Sequence, residues 1–212
     1  MLKIEFEGTD GAGKTTGLKY VVDRLRNAGT LLIETREVGA PQIPVNVKLR
    51  ELVLDPASNL SGEAMELIFA AMRVENDIYL KHTAQFTDVE CVLSDRGWLS
   101  HLAYGDNNTS AQFTRALFLN CISEYAALPN IIVYFDISSD TGLQRRTKRG
   151  TTDVIEAKGA AFQDAVRASF EAHMSYLPDY VKVFKIDANG DIPSVQAQLD
   201  KVVSYILTVK SS

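Results

Sequence analysis

Short apolar runs rich in β-branched and aromatic residues recur along the chain, and longer segments of helical period separate them. Continuous or alternating apolar character predicts strands, whereas apolar residues three and four positions apart predict a buried helix face. The runs that predict strands are residues 2–7, 30–35, 90–94, 131–135 and 182–186. The longest helical segments are residues 63–83 and 110–127, with further helical faces after Gly13 and over residues 195–206.

This alternation of strands and helices predicts an α/β fold with a parallel five-stranded sheet and helices on both faces. Right-handed crossovers between parallel strands place the helices outside a buried sheet. Ligands of such folds bind beyond the carboxyl ends of the strands. Because no repeat or Pro/Gly/Ser-rich linker interrupts the pattern, we expect residues 1–212 to form a single domain, with a loop at 36–44.

The charge balance limits the class of partner. The 212 residues include 22 Lys plus Arg and 27 Asp plus Glu, a formal net charge of −5 at pH 7. This balance argues against a nucleic-acid polymer or an anionic membrane as the principal partner, but positive charge focused in one crevice still suits a small anion.

Targeting and metal-binding patterns are absent from the sequence. No apolar run approaches the ~20 residues of a membrane-spanning helix, and the N-terminal residues lack a secretory pattern, so we expect a cytoplasmic location. Cys91, Cys121 and the three histidines show no metal-ligand spacing. We expect both cysteines to be buried free thiols.

The most specific motif directly follows the first predicted strand. Residues 8–16 fit the phosphate-binding pattern GxxxxGK[ST] in its strand, loop and helix context. Backbone N–H groups and a helix N-terminus cradle phosphates in such a loop. We expect Lys14 to reach the β- and γ-phosphates of a nucleoside triphosphate and the Thr15 hydroxyl to ligate Mg²⁺. The predicted ATP-binding residues of the loop are Gly8, Gly11, Ala12, Gly13, Lys14, Thr15 and Thr16.

A phosphate-binding loop identifies a nucleoside triphosphate but not the reaction. No Asn-Lys-x-Asp follows either late strand, which disfavours a GTPase, and the chain is short for a motor or helicase ATPase. A small kinase fits best.

Motifs in order along nearly the whole chain resemble the thymidylate kinase family, which phosphorylates dTMP with ATP. These motifs are residues 6–16, 35–39 (Thr-Arg-Glu-Val-Gly), 49–54 (Leu-Arg-Glu-Leu-Val-Leu), 67–73 (Leu-Ile-Phe-Ala-Ala-Met-Arg), Asp95-Arg96 with Ser100 and 102–104 (Leu-Ala-Tyr), and the arginine-rich 145–149. The resemblance implies the three-layer P-loop kinase fold, a short lid at about 145–158 and a homodimer formed through the long helices.

The resemblance also implies the acceptor site. Phe69 and Arg73 are four residues apart and share a helix face; their family counterparts stack on the acceptor base and contact a base carbonyl. Arg96 resembles the arginine that clamps the acceptor phosphate, and Asp95 resembles the acid that helps to hold Mg²⁺ through water. The remaining predicted acceptor residues are Asp10, near the sugar hydroxyl, with Arg36, Glu37, Arg50, Ser100 and Tyr104.

Simpler structural roles stay open for several of these residues. Phe69 also suits core burial, and Arg73 also suits a surface ion pair. Asp95 and Arg96 also suit a pair that caps a helix, and Arg50 also suits the solvated face of an amphipathic helix.

Four cations within five residues stand out in this acidic chain: Arg145, Arg146, Lys148 and Arg149. A solvated helix face is one interpretation. In the family, cationic help with phosphoryl transfer comes from the phosphate loop or from the lid, and Gly11 occupies the loop position where an arginine would stand. We therefore predict that Arg149 is the principal catalytic arginine, with Arg145 supporting the lid or the adenine of ATP. The predicted catalytic residues are Lys14, Arg96, Arg149 and Asp10.

The chain departs from the family at the base end. Gly105 stands where the family usually has Gln, a side chain able to read thymine, and His101 replaces a small hydroxyl residue. Val38, Ala40 and Pro41 replace a Pro-Gly-Thr type of loop. A missing side chain opposite the base predicts extra room, so a broadened acceptor range that includes a purine monophosphate is a second hypothesis.

Two further classes of protein remain as alternatives. A kinase for a nucleoside or another small molecule would keep the phosphate loop without needing Arg96 as a phosphate clamp. A nucleotide sensor would bind ATP without turnover. The favoured interpretation is a Mg²⁺-dependent kinase with ATP and dTMP as its ligands.

Overall fold

The computed structural model describes residues 1–124, 128–149, 155 and 158–210, without the side chains of residues 122–124 and 149. Five strands form one sheet: β1 (Leu2–Gly8), β2 (Leu32–Arg36), β3 (Cys91–Asp95), β4 (Ile131–Asp136) and β5 (Lys182–Asp187). Each lies within two residues of its predicted run. The strand order is β2-β3-β1-β4-β5 and every pairing is parallel, which confirms the predicted α/β fold.

Eight α-helices and a short 3₁₀ helix (Pro56–Ser58) connect and cover the strands within the described residues. The α-helices are α1 (Lys14–Asn27), α2 (Pro44–Leu54), α3 (Gly62–Gln85), α4 (Trp98–Asn108), α5 (Ala111–Glu124), α6 (Ser139–Arg149), α7 (Gly159–Met174) and α8 (Ile192–Val209). The predicted helices over 63–83 and 195–206 are confirmed. The predicted helix over 110–127 corresponds to α5, and its last three residues lie outside the described part. Pro44 starts α2 because proline suits the first helical position.

Two apolar layers sandwich the sheet. On one face, Ile4 and Phe6 of β1 pack with α1 and α8 in a buried cluster. On the other face, Ile132 and Tyr134 of β4 pack with Phe170 of α7. This arrangement leaves the carboxyl ends of β1, β2 and β3 open to one side, where the loops that follow them meet.

Central strand β1 carries charge on the face that turns toward α3 and α4. Lys3, Glu5 and Glu7 alternate with the apolar Ile4 and Phe6, and both glutamates are fully buried. The Glu7 carboxylate accepts the backbone N–H of Ser100 at 3.0 Å, with the Ser100 hydroxyl as a second donor. A buried acidic layer therefore lies directly beneath the carboxyl-end loops.

The described residues also give information on membrane insertion, metal clusters and cysteine burial. In the described residues, no helix is long and apolar enough to cross a membrane, and no cluster of three or more His, Cys, Asp or Glu side chains is arranged for a metal ion. Cys91 is buried as predicted, but Cys121 is only half-buried, because it lies on α5 near the surface.

Candidate active site

The phosphate-binding loop follows β1 and runs into α1. Gly8, Gly11 and Gly13 all have positive φ angles, which lets the backbone curl back on itself. Lys14 starts the helix, is buried, and donates from Nζ to the Thr9 carbonyl at 2.8 Å. Burial, with a contribution from nearby Arg96, lowers the pKa of Lys14 to about 8. An anion in the loop would restore the charged form of this lysine.

The loop packs against α6 so closely that Gly11 tolerates no side chain. A Cβ built on Gly11 would lie 2.5 Å from the carbonyl oxygen of Gly142. The buried Arg146 of α6 donates from Nη1 to the Asp10 carbonyl at 2.7 Å and so ties the helix to the loop. An arginine side chain at position 11 therefore has no room in this packing.

Two oxygen-bearing side chains that could bind a metal ion meet where α1 begins and β3 ends. The Thr15 hydroxyl donates to Oδ2 of Asp95 at 2.5 Å, across the ends of β1 and β3. Thr15 is exposed and Asp95 is half-buried, so both face the cleft. Hydroxyl and carboxylate oxygens are the ligands that Mg²⁺ takes beside nucleotide phosphates, so this pair fits the predicted metal site.

Arg96 connects the phosphate-binding loop with the residues of α4 through hydrogen bonds. Its φ of 70° lies in the left-handed region, an unfavourable conformation for a residue with a side chain. One guanidinium nitrogen donates to the Gly8 carbonyl at 3.0 Å and to the Ser100 hydroxyl at 3.1 Å. The other donates to the Asp10 carboxylate and, at 3.1 Å, to the Tyr104 hydroxyl.

Asp10 is held as a carboxylate by this network. Burial tends to raise its pKa, but Arg96 and Lys14 outweigh burial and hold the pKa of Asp10 below its usual range. The Tyr104 hydroxyl and Gln163 Nε2 each donate to Oδ2 of Asp10 at 3.1 Å. The strand-end arginine, the loop acid and the helix α4 hydroxyls thus form one rigid unit.

Helix α3 lines the opposite wall with Phe69 and Arg73. Phe69 is half-buried, with its ring at the cleft. Arg73 is 4% exposed, lies 3.2 Å from Glu37 Oε2, and donates from Nε to the Gly97 carbonyl at 3.3 Å. Trp98 packs beneath its guanidinium, 5.8 Å from the ring centroid. Arg73 is therefore a buried, oriented donor rather than half of a surface ion pair.

Two further arginines, one at the end of β2 and one on α2, line the cleft and donate to carbonyls of the loop between these elements. Arg36 is exposed and donates from Nε to the Gly39 carbonyl at 2.9 Å. Arg50 donates from Nη1 to the Val38 carbonyl at 2.8 Å, so it belongs to the cleft wall and not to a solvated helix face. Burial raises the pKa of Glu37 to about 8, against the opposing effect of Lys3.

A cleft of about 950 Å³ connects these groups. Of the predicted site residues, Gly8 and Ala12 are buried and do not line the cleft. The Arg149 side chain and lid residues 150–154, 156 and 157 lie outside the described part of the chain. The predicted residues that line the cleft are Asp10, Gly11, Gly13, Lys14, Thr15, Thr16, Arg36, Glu37, Arg50, Phe69, Arg73, Asp95, Arg96, Ser100, Tyr104 and Arg145.

A second cleft of about 590 Å³ lies on the other side of the loop. It is lined by Thr16, Tyr20 and Arg145 and, at the start of α8, by Ile192 and Pro193. The Arg145 guanidinium donates to the Gly190 carbonyl at 3.1 Å, which holds the side chain across the mouth of this cleft.

The expectation of extra room at Gly105 is wrong. A Cβ at this position would lie 2.5 Å from Thr114 Cγ2 and 3.2 Å from Glu66 Oε2. Helices α3 and α5 have closed over the glycine, so its missing side chain leaves no added space for a purine.

Seven residues that line the cleft are not among the predicted site residues: Val38, Leu54, Glu66, His101, Asn108, Arg146 and Ile155. Glu66 had a detectable signal, since it lies three residues before Phe69 and seven before Arg73, on the same helix face. Arg146 was grouped with a charge run, and only its burial against the loop separates it from its neighbours.

Comparison with known proteins agrees with this geometry. The family model described as thymidylate kinase matches residues 6–199. A thymidylate kinase of Pseudomonas fluorescens is 31% identical, and one of Ectopseudomonas mendocina is 30% identical; each match covers 97% of this chain and 96% of the relative. One of Lactobacillus delbrueckii subsp. bulgaricus is 30% identical over 94% of both chains. Because the match spans nearly the full length in both directions, the chain belongs to the thymidylate kinase family.

Proposed function

We propose that this chain transfers the γ-phosphoryl group of ATP to dTMP, giving ADP and dTDP. The observation that carries the proposal is the Arg96 network, because it joins the phosphate-binding loop to an acceptor cleft walled by Phe69 and Arg73. An oxygen of the dTMP phosphate attacks the γ-phosphorus, and the bond from that phosphorus to the β,γ-bridging oxygen breaks. The acceptor phosphate is already ionised, so the reaction needs positioning and charge stabilisation more than a base.

ATP would lie with its phosphates in the loop and its base in the second cleft. The backbone of residues 8–16 cradles the phosphates, and Lys14 neutralises the β- and γ-phosphates. Arg145 spans both clefts and would cover the adenine.

Thr15 and Asp95 would hold Mg²⁺ on the nucleotide phosphates, Thr15 directly and Asp95 through water. When bound, Mg²⁺ neutralises charge on the β- and γ-phosphates. The short Thr15 to Asp95 hydrogen bond supports this placement because it already brings the two oxygen ligands together.

The dTMP would enter from the side of α2 and α3. Arg96, assisted by Arg36 or Arg50, would clamp the acceptor phosphate, and Asp10 would receive the sugar hydroxyl. The Phe69 ring would stack on the base while Arg73 donates to a base carbonyl. Ser100 and Tyr104 support this arrangement because both bond to the Arg96 guanidinium.

A lid at 145–158 would close over the transferring group and exclude water. We propose Arg149 as its principal catalytic arginine, because Gly11 leaves the phosphate loop without a cation at the corresponding place. Arg149→Ala would lower turnover by more than about tenfold, since supplied arginines contribute roughly 10³-fold or more to phosphoryl transfer. A smaller loss would assign the charge stabilisation to other groups.

Further parts of the proposal concern the whole chain. We propose a single domain, a homodimer through the long helices and a cytoplasmic location, with no nucleic-acid polymer or membrane as partner. Sedimentation of the purified protein checks the dimer.

An ADP-release assay tests the reaction class. With ATP and Mg²⁺, ADP should appear rapidly on addition of dTMP and slowly with thymidine or with no acceptor. Faster turnover of thymidine would indicate a nucleoside kinase. ATP binding without acceptor-dependent ADP release would indicate a sensor.

A further inference from the structure

The base end of the acceptor cleft carries polar groups to which the proposed function assigns no role. Glu66 and His101 line the cleft, and each is only 1% exposed. Their Oε2 and Nδ1 atoms lie 3.1 Å apart. Within the described part of the chain, neither of these two atoms has a partner beyond the other, and His101 Nε2 has no hydrogen-bond partner. Buried polar atoms without partners mark a place where a ligand completes the hydrogen bonds.

Glu66 belongs to the same stripe of α3 as the two predicted base-binding residues. Glu66, Phe69 and Arg73 occupy positions i, i+3 and i+7 and therefore share one helix face. The stripe presents a carboxylate, an aromatic ring and a guanidinium in that order, over roughly 10 Å of helix. A flat base on the Phe69 ring would meet a hydrogen-bond acceptor from one side and a donor from the other.

The surroundings of Glu66 keep its carboxylate at this place. Asn108 Nδ2 donates to Oε1 at 3.2 Å, which leaves Oε2 as the atom nearest to His101 and Gly105. Burial lowers the pKa of His101, although Glu66 opposes the effect. The space near Gly105, where the family usually places a glutamine, is occupied by the carboxyl group of Glu66, whose Oε2 would lie 3.2 Å from a Cβ at Gly105.

We infer that Glu66 is a specificity-determining residue whose carboxylate accepts the ring N3–H of the acceptor's pyrimidine base. The inference rests on the proposed function. Thymine places this N–H beside a carbonyl, which suits the Glu66 acceptor at one end of the helix stripe and the Arg73 donor at the other. Cytosine presents an unprotonated ring nitrogen at the same position, so a carboxylate there repels it.

Wild-type protein with three acceptors gives the first test. We expect kcat/KM for N3-methyl-dTMP and for dCMP to be lower than for dTMP by about 10²-fold or more, because a site built around a substrate N–H rejects analogues that lack it. This arm needs no variant and is independent of folding. Comparable rates with dTMP and N3-methyl-dTMP would overturn the inference while leaving the proposed function intact.

Glu66→Leu gives the second test, with Glu75→Gln as the matched control because Glu75 is an exposed glutamate of the same helix. In Glu66→Leu, the KM for dTMP should rise at least about tenfold, the KM for ATP should stay unchanged, and the preference for dTMP over N3-methyl-dTMP should shrink to a few-fold. Glu75→Gln should match the wild type. If Glu66→Leu lowered kcat/KM equally for dTMP and N3-methyl-dTMP, Glu66 and His101 would be a purely structural pair. A wild-type protein inactive on dTMP would overturn the proposed function and this inference together.

Discussion

Lys14 is buried and belongs to the phosphate-binding motif, so its charge should depend on whether a ligand is bound. Its pKa is lowered to about 8 by burial, while its Nζ atom donates to the Thr9 carbonyl. Phosphate oxygens beside the ammonium group would favour the charged form and raise this pKa. Ligand binding and proton binding at Lys14 are therefore linked.

The linkage predicts the pH dependence of ATP binding. In the free protein, Lys14 loses its proton as the pH rises through about 8, and it must regain this proton to bind ATP. The affinity for ATP should therefore fall as the pH rises from 7 to 9. In this range, ATP binding should be accompanied by the uptake of up to one proton. Calorimetry at pH 8.5 in buffers of different ionisation enthalpy measures that uptake. Lys14→Met should bind weakly and take up no such proton; an unchanged uptake in this variant would assign the proton to another group.

Arg96 predicts a second residue-level effect. Its guanidinium bonds to Gly8, Asp10, Ser100 and Tyr104 at once. Arg96→Ala should lower kcat/KM for dTMP by roughly 10²-fold or more, because a bidentate charged donor contributes several charge-assisted hydrogen bonds. Arg96→Lys should recover little of this loss, because a point charge does not replace the planar fork.

The control for this variant is Arg24→Ala, which removes an exposed arginine paired with Asp200. Its kinetics should match the wild type. If Arg96→Ala changed only the KM for ATP and left that for dTMP unaltered, the phosphate clamp would belong to Arg36 or Arg50.

At the scale of secondary-structure elements, the phosphate loop and α6 are in close contact. Gly11 and the carbonyl of Gly142 meet with no space for a methyl group, and Arg146 bonds across the same seam. The loop and the helix that begins the lid are therefore packed as one unit.

Gly11→Ala tests this packing, and Gly29→Ala is its matched control. Both glycines have positive φ, 84° and 79°, but a Cβ at Gly29 meets nothing within 4 Å. Gly29→Ala should cost only the left-handed conformation, about 1–2 kcal/mol of unfolding free energy. Gly11→Ala should cost about 1–3 kcal/mol more through overpacking and should also weaken ATP binding. If chemical denaturation gave equal losses of unfolding free energy for both variants, the contact between the loop and α6 would accommodate the extra methyl group without cost.

The elements were more predictable than their mutual packing. Strand positions followed from β-branched runs such as residues 131–135, and the loop followed from a motif that is local in sequence. The room at Gly105 was predicted wrongly because Thr114, which fills it, reaches the site from another helix. The burial of Arg146 was missed for the same reason: periodicity shows which face of a helix is polar, not what that face contacts.

At the scale of the whole molecule, a buried acidic layer in the central strand links stability to pH. Burial raises the pKa of Glu5 to about 7, although Lys3 lies 3.3 Å away and opposes the shift. The carboxyl therefore holds a proton in the folded protein that the unfolded chain releases near pH 4.5. Unfolding releases this proton, so the free energy of unfolding should fall as pH rises from about 4.5 to 7.

Glu5→Gln tests the effect of this layer. The variant should reduce the decline in melting temperature between pH 5 and 7.5, because glutamine does not titrate, and the rest of the decline would come from Glu37, whose pKa burial also raises. Glu34→Gln, an exposed acid of β2, should keep the wild-type profile. If Glu5→Gln kept the wild-type dependence of melting temperature on pH, the proton would belong to another group.

The most direct measurement of the central claim is identification of the product. Phosphorus NMR of the purified protein with ATP, Mg²⁺ and dTMP should show the β-phosphorus of dTDP growing in step with ADP, and Arg96→Ala should slow both signals together. Growth of ADP and inorganic phosphate without dTDP would contradict the account, because the clefts would then support ATP hydrolysis and not transfer to dTMP.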